Sequence, residues 1–229
     1  MKKLLTLGCS LAPIDSWPYT CNQAGQFDIH TNYGFGGGGN QQLLDCIDEY
    51  LYHNTTKDLT VVYQMTGMER GGGIYSSGVS KELIDHKTKL RELSNILPDQ
   101  RSLLWEGYFG KQYMLWGSSL SHGMHYDEHH NHIILLTRVV SKLCLLANAG
   151  VTVYAFRGWT GIIPHAPEKT WEQITDVFDK NNVNYIDEPL VDWCIKTDQE
   201  FMPDNWHPRT SASRYYAEEF LSKQLASDT

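Results

Sequence analysis

Near the carboxyl end of the chain, Asp204 and His207 stand three residues apart in PDNWHPRTSASRYYAEEF (203–220), bracketed by Pro203 and Pro208. Two prolines with fixed φ make this segment a rigid turn, on which a carboxylate can hold an imidazole in one tautomer. An imidazole held in this way is a general base, and such a base can activate a serine hydroxyl for attack on an acyl carbon. The competing reading makes Asp204 and Asn205 the start of the last helix and His207 a surface residue. Asp-x-x-His arises often by chance, so the pair carries chemistry only if a nucleophile comes to meet it.

The amino end offers one in LLTLGCS (4–10). An apolar run that stops at Gly-Cys-Ser is either a secretion signal with a lipid-accepting Cys9 or a buried strand that delivers Ser10 to a site. The apolar core before Gly8 is only Leu4 to Leu7, against about 7–15 residues in a working signal. Thr6 stands where a lipoprotein signal usually has Leu. Residues 3–9 are therefore expected to form a short parallel strand, with Ser10 just past its carboxyl end. Cys9 reads as a small buried residue rather than an alternative nucleophile, because neighbouring side chains on a strand point to opposite faces.

The remaining elements must bring the two ends together. Phe27, Ile29 and Thr31 alternate into a second strand, followed by the loop GFGGGGN (34–40) and a helix with Leu43, Leu44, Ile47 and Leu51 on one face. DLTVVYQM (58–65) reads as a third strand, ending in the turn TGMER (66–70). Further helices are expected over 81–97, about 132–148, 171–180 and 211–225, and further strands at VTVYAF (151–156) and VNYI (183–186). Residues 98–132 show no sustained period and read as an irregular insertion over the edge or top of the sheet. This alternation predicts one α/β domain over 1–229, with a mainly parallel sheet between helices. In such sheets ligands sit beyond the carboxyl ends of the strands, where the three loops after the first three strands converge.

Composition narrows the function classes. The 229 residues are 41% apolar and 20% charged, with a formal net charge of -8, which disfavours nucleic acid as a partner. No segment is apolar enough for a membrane span. Five scattered cysteines with no Cys-x-x-Cys pair point to a reducing compartment, taken as cytoplasmic, rather than to a disulfide framework. The oligomeric state is not written in the sequence.

Taken together, GCS after the first strand, N-x-G-x-x-G-x-x-N over 32–40 and D-x-x-H-P before the last helix resemble the SGNH (GDSL-type) hydrolase family. GCSxxxxxxWP with the later T-G-M-x-R is similar to divergent members seen in phages and environmental viruses. The resemblance runs from residue 3 to about 220, and the middle third contributes little. It implies a three-layer α/β/α flavodoxin-like fold with a mainly parallel, about five-stranded sheet. By the same resemblance Ser10 is the nucleophile, His207 the base and Asp204 its orienter, and the N–H groups of Ser10 and Gly37 form an oxyanion hole. No cofactor or metal is implied. The chain has no G-x-S-x-G, so the α/β-hydrolase elbow is excluded.

Two positions depart from the family pattern. Cys9 replaces the usual Asp before the serine, and Gly67-Met68-Glu69-Arg70 stands where Gly-x-Asn-Asp is expected, which removes the Asn of the oxyanion hole. Losing one such donor costs about 10²–10³ in turnover. Arg70 ranks first as a substitute, ahead of Thr66 and Gln64, and the alternative for Arg70 is a structural pairing with Glu69 or Asp85. Asn40, Thr66 and Glu69 are candidate substrate contacts, with a helix cap the competing role for Asn40.

The stretch SHGMHYDEHHNH (121–132) carries His122, His125, His129, His130 and His132 with Asp127 and Glu128, a set that zinc accepts. Without an H-E-x-x-H it is read as a cover loop. Trp105, Tyr108, Phe109, Tyr113 and Trp116 before it are read as packing in preference to a sugar platform. The expected activity is that of a serine esterase or acylhydrolase working on a small acyl ester through an acyl-enzyme. An O-acetylated glycan substrate, acyl transfer on the same triad, and a degenerate module that binds a glycan or a protein are the alternatives.

Overall fold

The computed structural model describes residues 1–34, 39–67, 72–75, 103–106, 113–116, 128–160, 162, 168–203 and 207–227. The main sheet is built from β1 (Lys3–Gly8), β2 (Ile29–Gly34), β3 (Leu59–Met65), β7 (Thr152–Arg157) and β8 (Val183–Ile186), in the order β2-β1-β3-β7-β8 with every neighbour parallel. Between its strands run α1 (Trp17–Gly25), α2 (Asn40–His53), α3 (Glu128–Asn148) and α4 (Glu168–Lys180), and α5 (Leu190–Lys196) and α6 (Thr210–Ala217) follow. This is the three-layer α/β/α arrangement with the strand order of flavodoxin-like folds, in which the order reverses between β1 and β3.

Parallel strands buried on both faces read as near-continuous apolar runs, and β1 and β3 do. The alternation of side chains sorts them into two cores. Leu5, Leu7, Val61, Tyr63, Met65, Val153 and Ala155 pack with Leu43, Leu44 and Ile47 of α2, Val139 and Leu143 of α3, and Phe178 of α4. On the opposite face, Leu4, Val62, Tyr154 and Phe156 pack with Trp17 and Cys21 of α1 and Ala212 and Tyr216 of α6. Each fully buried leucine of these cores contributes about 1.5–3 kcal/mol relative to exposure.

Several elements differ from the sequence expectation. β1 stops at Gly8 rather than Cys9, because the Cys9 N–H leaves the ladder for the side chain of Gln64. Phe27 lies before β2 and packs against the α1 core, while the N–H groups of Asp28 and Ile29 both bond the Lys2 carbonyl. α1 was not expected, although Pro18 suits a first helical turn and the buried Trp17, Cys21 and Gly25 recur every fourth residue. The expected helix over 211–225 is α6, a π-helical turn at Glu218–Ser222 and α7 (Lys223–Ser227).

A second, antiparallel sheet joins β4 (Gly72–Tyr75), β6 (Tyr113–Trp116) and β5 (Leu103–Glu106) in the order β4-β6-β5. Two of its strands fall inside the stretch expected to be irregular, where aromatic and glycine residues crowd out any strand pattern. The expected helix over 81–97 lies outside the described residues. All five cysteines are free and buried. Burial pushes the Cys194 thiol up to about 12. Among the described residues no helix is long and apolar enough to cross a membrane.

Candidate active site

Ser10 is the second residue beyond β1, at the carboxyl edge where the strand order reverses. The turn that carries it is tied at both ends. At its start, the Cys9 N–H donates to Gln64 Oε1 at 3.2 Å, and the Cys9 carbonyl accepts the Ala12 N–H at 2.9 Å. At its end, Asn32 Nδ2 donates to the Ala12 carbonyl at 3.2 Å. Gly34 at the end of β2 leaves the space this carbonyl occupies, since a Cβ there would collide with it.

Asn32 is itself oriented from below. The Thr6 hydroxyl donates to Asn32 Oδ1 at 2.8 Å, so His30 Nε2, 2.9 Å from the same hydroxyl oxygen, acts as donor to it. Burial lowers the His30 pKa to about 4, so the ring is neutral with its proton on Nε2.

The opposite partner arrives from the segment before α6. The Phe201 and Pro208 bridge, the Met202 N–H donating to the His207 carbonyl at 2.7 Å, and the Arg209 N–H donating to the Glu200 carbonyl at 2.9 Å pair residues 200–202 with 207–209. The segment presents His207 Nε2 2.8 Å from Ser10 Oγ, although the two residues are 197 apart in sequence. With its proton on Nδ1 the ring accepts the Ser10 hydroxyl proton at Nε2, the arrangement a general base needs.

Of the other expected site residues, Asp204, Gly37, Glu69 and Arg70 lie outside the described residues. Asn40 was offered a role as helix cap and does not fill it: it is the first residue of α2, with Gly39 at the cap position and no capping bond from a side chain. Instead its buried carboxamide brackets Thr66, donating from Nδ2 to the Thr66 carbonyl at 2.6 Å and accepting the Thr66 N–H on Oδ1 at 3.2 Å. The Tyr63 hydroxyl adds a bond to the same Oδ1 at 3.2 Å. Asn40 thereby fixes the start of the loop after β3 from the α2 side. The Thr66 hydroxyl is buried without a partner among the described residues.

Sequence reasoning placed Gln64 behind Arg70 among the candidate substitute oxyanion donors and overlooked it as an anchor of the Ser10 turn. The signal available was a carboxamide inside the apolar run VVYQM. Among the described residues no group of three or more His, Cys, Asp or Glu is placed to hold a metal ion. His122, His125 and Asp127, and the side chains of Glu128, His129, His130 and His132, lie outside that set.

No family model and no curated protein matches the chain. Solved structures do. A member of the lipolytic G-D-S-L family from Veillonella parvula superposes with a TM-score of 0.54 at 12% identity, over 97% of this chain and 100% of that one. LAE5, an α/β hydrolase enzyme from the metagenome of Lake Arreo, gives 0.50 at 12% identity, over 98% and 96%. The chain has the SGNH (GDSL-type) hydrolase fold. What it does with that fold is decided by its site, because one fold hosts many activities.

Proposed function

We propose that this protein is a serine acylhydrolase, a carboxylic ester hydrolase that cleaves a small acyl ester. The observation that carries the proposal is the 2.8 Å contact between Ser10 Oγ and His207 Nε2 at the carboxyl edge of the sheet. His207 takes the Ser10 proton as Oγ attacks the acyl carbon, and the tetrahedral oxyanion is held by the N–H groups of Ser10 and Gly37. Arg70 takes the place of the missing Asn as a third stabiliser, with Thr66 and Glu69 as neighbours of the bound substrate. Collapse of the intermediate passes the proton from Nε2 to the leaving alcohol and leaves an acyl-Ser10 ester. Water, deprotonated by His207, then attacks that ester and frees the acid. Asp204 holds His207 in the tautomer this cycle requires.

A wholly degenerate, non-catalytic module fits less well, because a turn tied at Cys9 and Ala12 and a base within hydrogen-bond reach are what a reactive serine needs. A neutral ester, of an alcohol or an acetylated sugar, suits a chain of net charge -8 better than a polyanion. Five free thiols suit a reducing compartment, which we take to be the cytoplasm.

The test is hydrolysis of p-nitrophenyl esters from acetate to octanoate by wild type and Ser10→Ala. Turnover by wild type, falling to background in a folded Ser10→Ala, is expected, and the preferred chain length then defines the acyl group. Equal turnover by both proteins removes Ser10 from the reaction.

A further inference from the structure

We infer that Gln64 is a positioning residue for the nucleophile: its carboxamide fixes the turn that carries Ser10 and so sets the approach of Ser10 to His207. This rests on the serine hydrolase reading above. Gln64 is fully buried on β3, between Val61, Val62 and Tyr63 on one side and Met65 on the other, all equally buried. A carboxamide in such a place is costly unless its polar atoms are bonded. Its Oε1 accepts the Cys9 N–H at 3.2 Å and the Cys9 thiol proton with Sγ at 3.8 Å. Its Nε2 is buried without a partner among the described residues. The side chain is thus half satisfied, and the satisfied half faces the nucleophile turn.

The backbone explains why a side chain is needed there. Pairing between β1 and β3 runs as far as Leu7 opposite Tyr63. Had the main-chain ladder continued, Cys9 and Ser10 would remain extended and the Cys9–Ala12 turn would not form. Gln64 takes the Cys9 N–H in place of the ladder, which releases the chain into the turn while keeping that donor bonded. Two glycines make room for the carboxamide. A Cβ on Gly8 would collide with Oε1, and a Cβ on Gly158 would stand 3.3 Å from Nε2. The second tie, from Asn32 to the Ala12 carbonyl, holds the far end of the turn, so Gln64 governs the end next to Ser10.

A role confined to filling space predicts that any side chain of similar size serves. Gln64→Met keeps length and apolar volume and removes the acceptor, and Gln64→Glu returns an acceptor at the same point. Both are compared with wild type by steady-state hydrolysis of p-nitrophenyl acetate and by amide hydrogen exchange at Cys9, read by NMR. Gln64→Met is expected to lower kcat by about 10- to 100-fold, the scale of a misplaced reacting group. KM should stay within about twofold, since substrate contacts are untouched, and the Cys9 amide should exchange faster. Gln64→Glu should recover most of kcat and the protection of Cys9.

Wild-type kcat in Gln64→Met, or equal losses in both variants, overturns the positioning role. If Gln64→Met does not fold, wild type still decides: a Cys9 amide that exchanges as fast as an exposed one overturns the inference. Absence of ester hydrolysis in wild type with a protected Cys9 amide is the distinct result that overturns the hydrolase reading and, with it, the catalytic consequence of Gln64.

Discussion

On the sheet face covered by α2, α3 and α4, the inward residues Leu5, Leu7, Val61, Met65, Val153 and Ala155 are apolar, and the Tyr63 hydroxyl is bonded to Asn40. On the face covered by α1 and α6, Thr6 and Gln64 are fully buried and His30 and Asn32 partly so, beside Leu4, Val62 and Phe156. These polar groups sit toward the β1 and β2 side and run up to the turn of Ser10. One face of the same sheet supplies cohesion, and the other spends part of its apolar packing on orienting a reactive side chain. The Nε2 of Gln64, which has no partner among the described residues, marks that expense, since a buried unsatisfied donor costs about 1–3 kcal/mol.

The contrast is broken most strongly at its reactive end. His207→Ala removes the base from Ser10 and is expected to lower kcat for p-nitrophenyl acetate by about 10³-fold or more, with little change in melting temperature. The apolar face should respond in the opposite way. Leu7→Ala empties a fully buried site and should reduce stability by about 2–5 kcal/mol in urea unfolding, leaving kcat per folded molecule near wild type. A large kcat loss in folded Leu7→Ala would erase the distinction between the faces.

Asn40 stands between the two roles. Asn40→Ala leaves the N–H and carbonyl of Thr66 without their side-chain partner, and a loss of about 1–3 kcal/mol is expected by thermal or urea unfolding. A fall in kcat should accompany it, because the loop after β3 is released.

The smallest effect belongs to His30. Its folded pKa of about 4 lies below the ordinary histidine value near 6.5. Between these values the unfolded chain binds a proton that the folded chain does not, so stability rises with pH across this window and is lost as pH falls through it. His30→Gln should shrink the Tm loss between about pH 7 and pH 4.5 by roughly 2–4 °C, the shift that about 1 kcal/mol gives at this size once partial exposure is discounted. An unchanged pH slope would show that His30 is not buried neutral in the folded state.

Much of this arrangement can be read in the chain. LLTLGCS is an apolar run that ends in a turn, and D-x-x-H-P lies before an amphipathic segment, so β1, Ser10 and His207 follow from pattern. β8 is legible from end to end, because VNYI is short, begins and ends on a β-branched apolar residue and is bounded by Asn182 and Asp187. The anchors are not. An Asn ahead of a helix reads as a cap, and only the folded chain reveals that Asn40 reaches a residue 26 positions away. A Gln inside an apolar strand signals that something must be bonded, without naming Cys9 as the group. α1 was hidden by polar residues between its buried positions and by Pro18, which reads as a breaker until it is placed in the first turn. α5, with seven residues, is too short for a helical period to emerge, and β4 to β6 lie in stretches crowded with glycine and aromatic residues, where no strand pattern stands out.

The most direct test of Ser10 and His207 as the reactive pair is mass spectrometry of the wild-type protein after treatment with a fluorophosphonate, followed by peptide mapping. A single adduct on Ser10, formed far more slowly in His207→Ala and absent from Ser10→Ala, is the predicted result. An adduct that persists at wild-type rate in Ser10→Ala, or none on the folded wild-type protein, would contradict it.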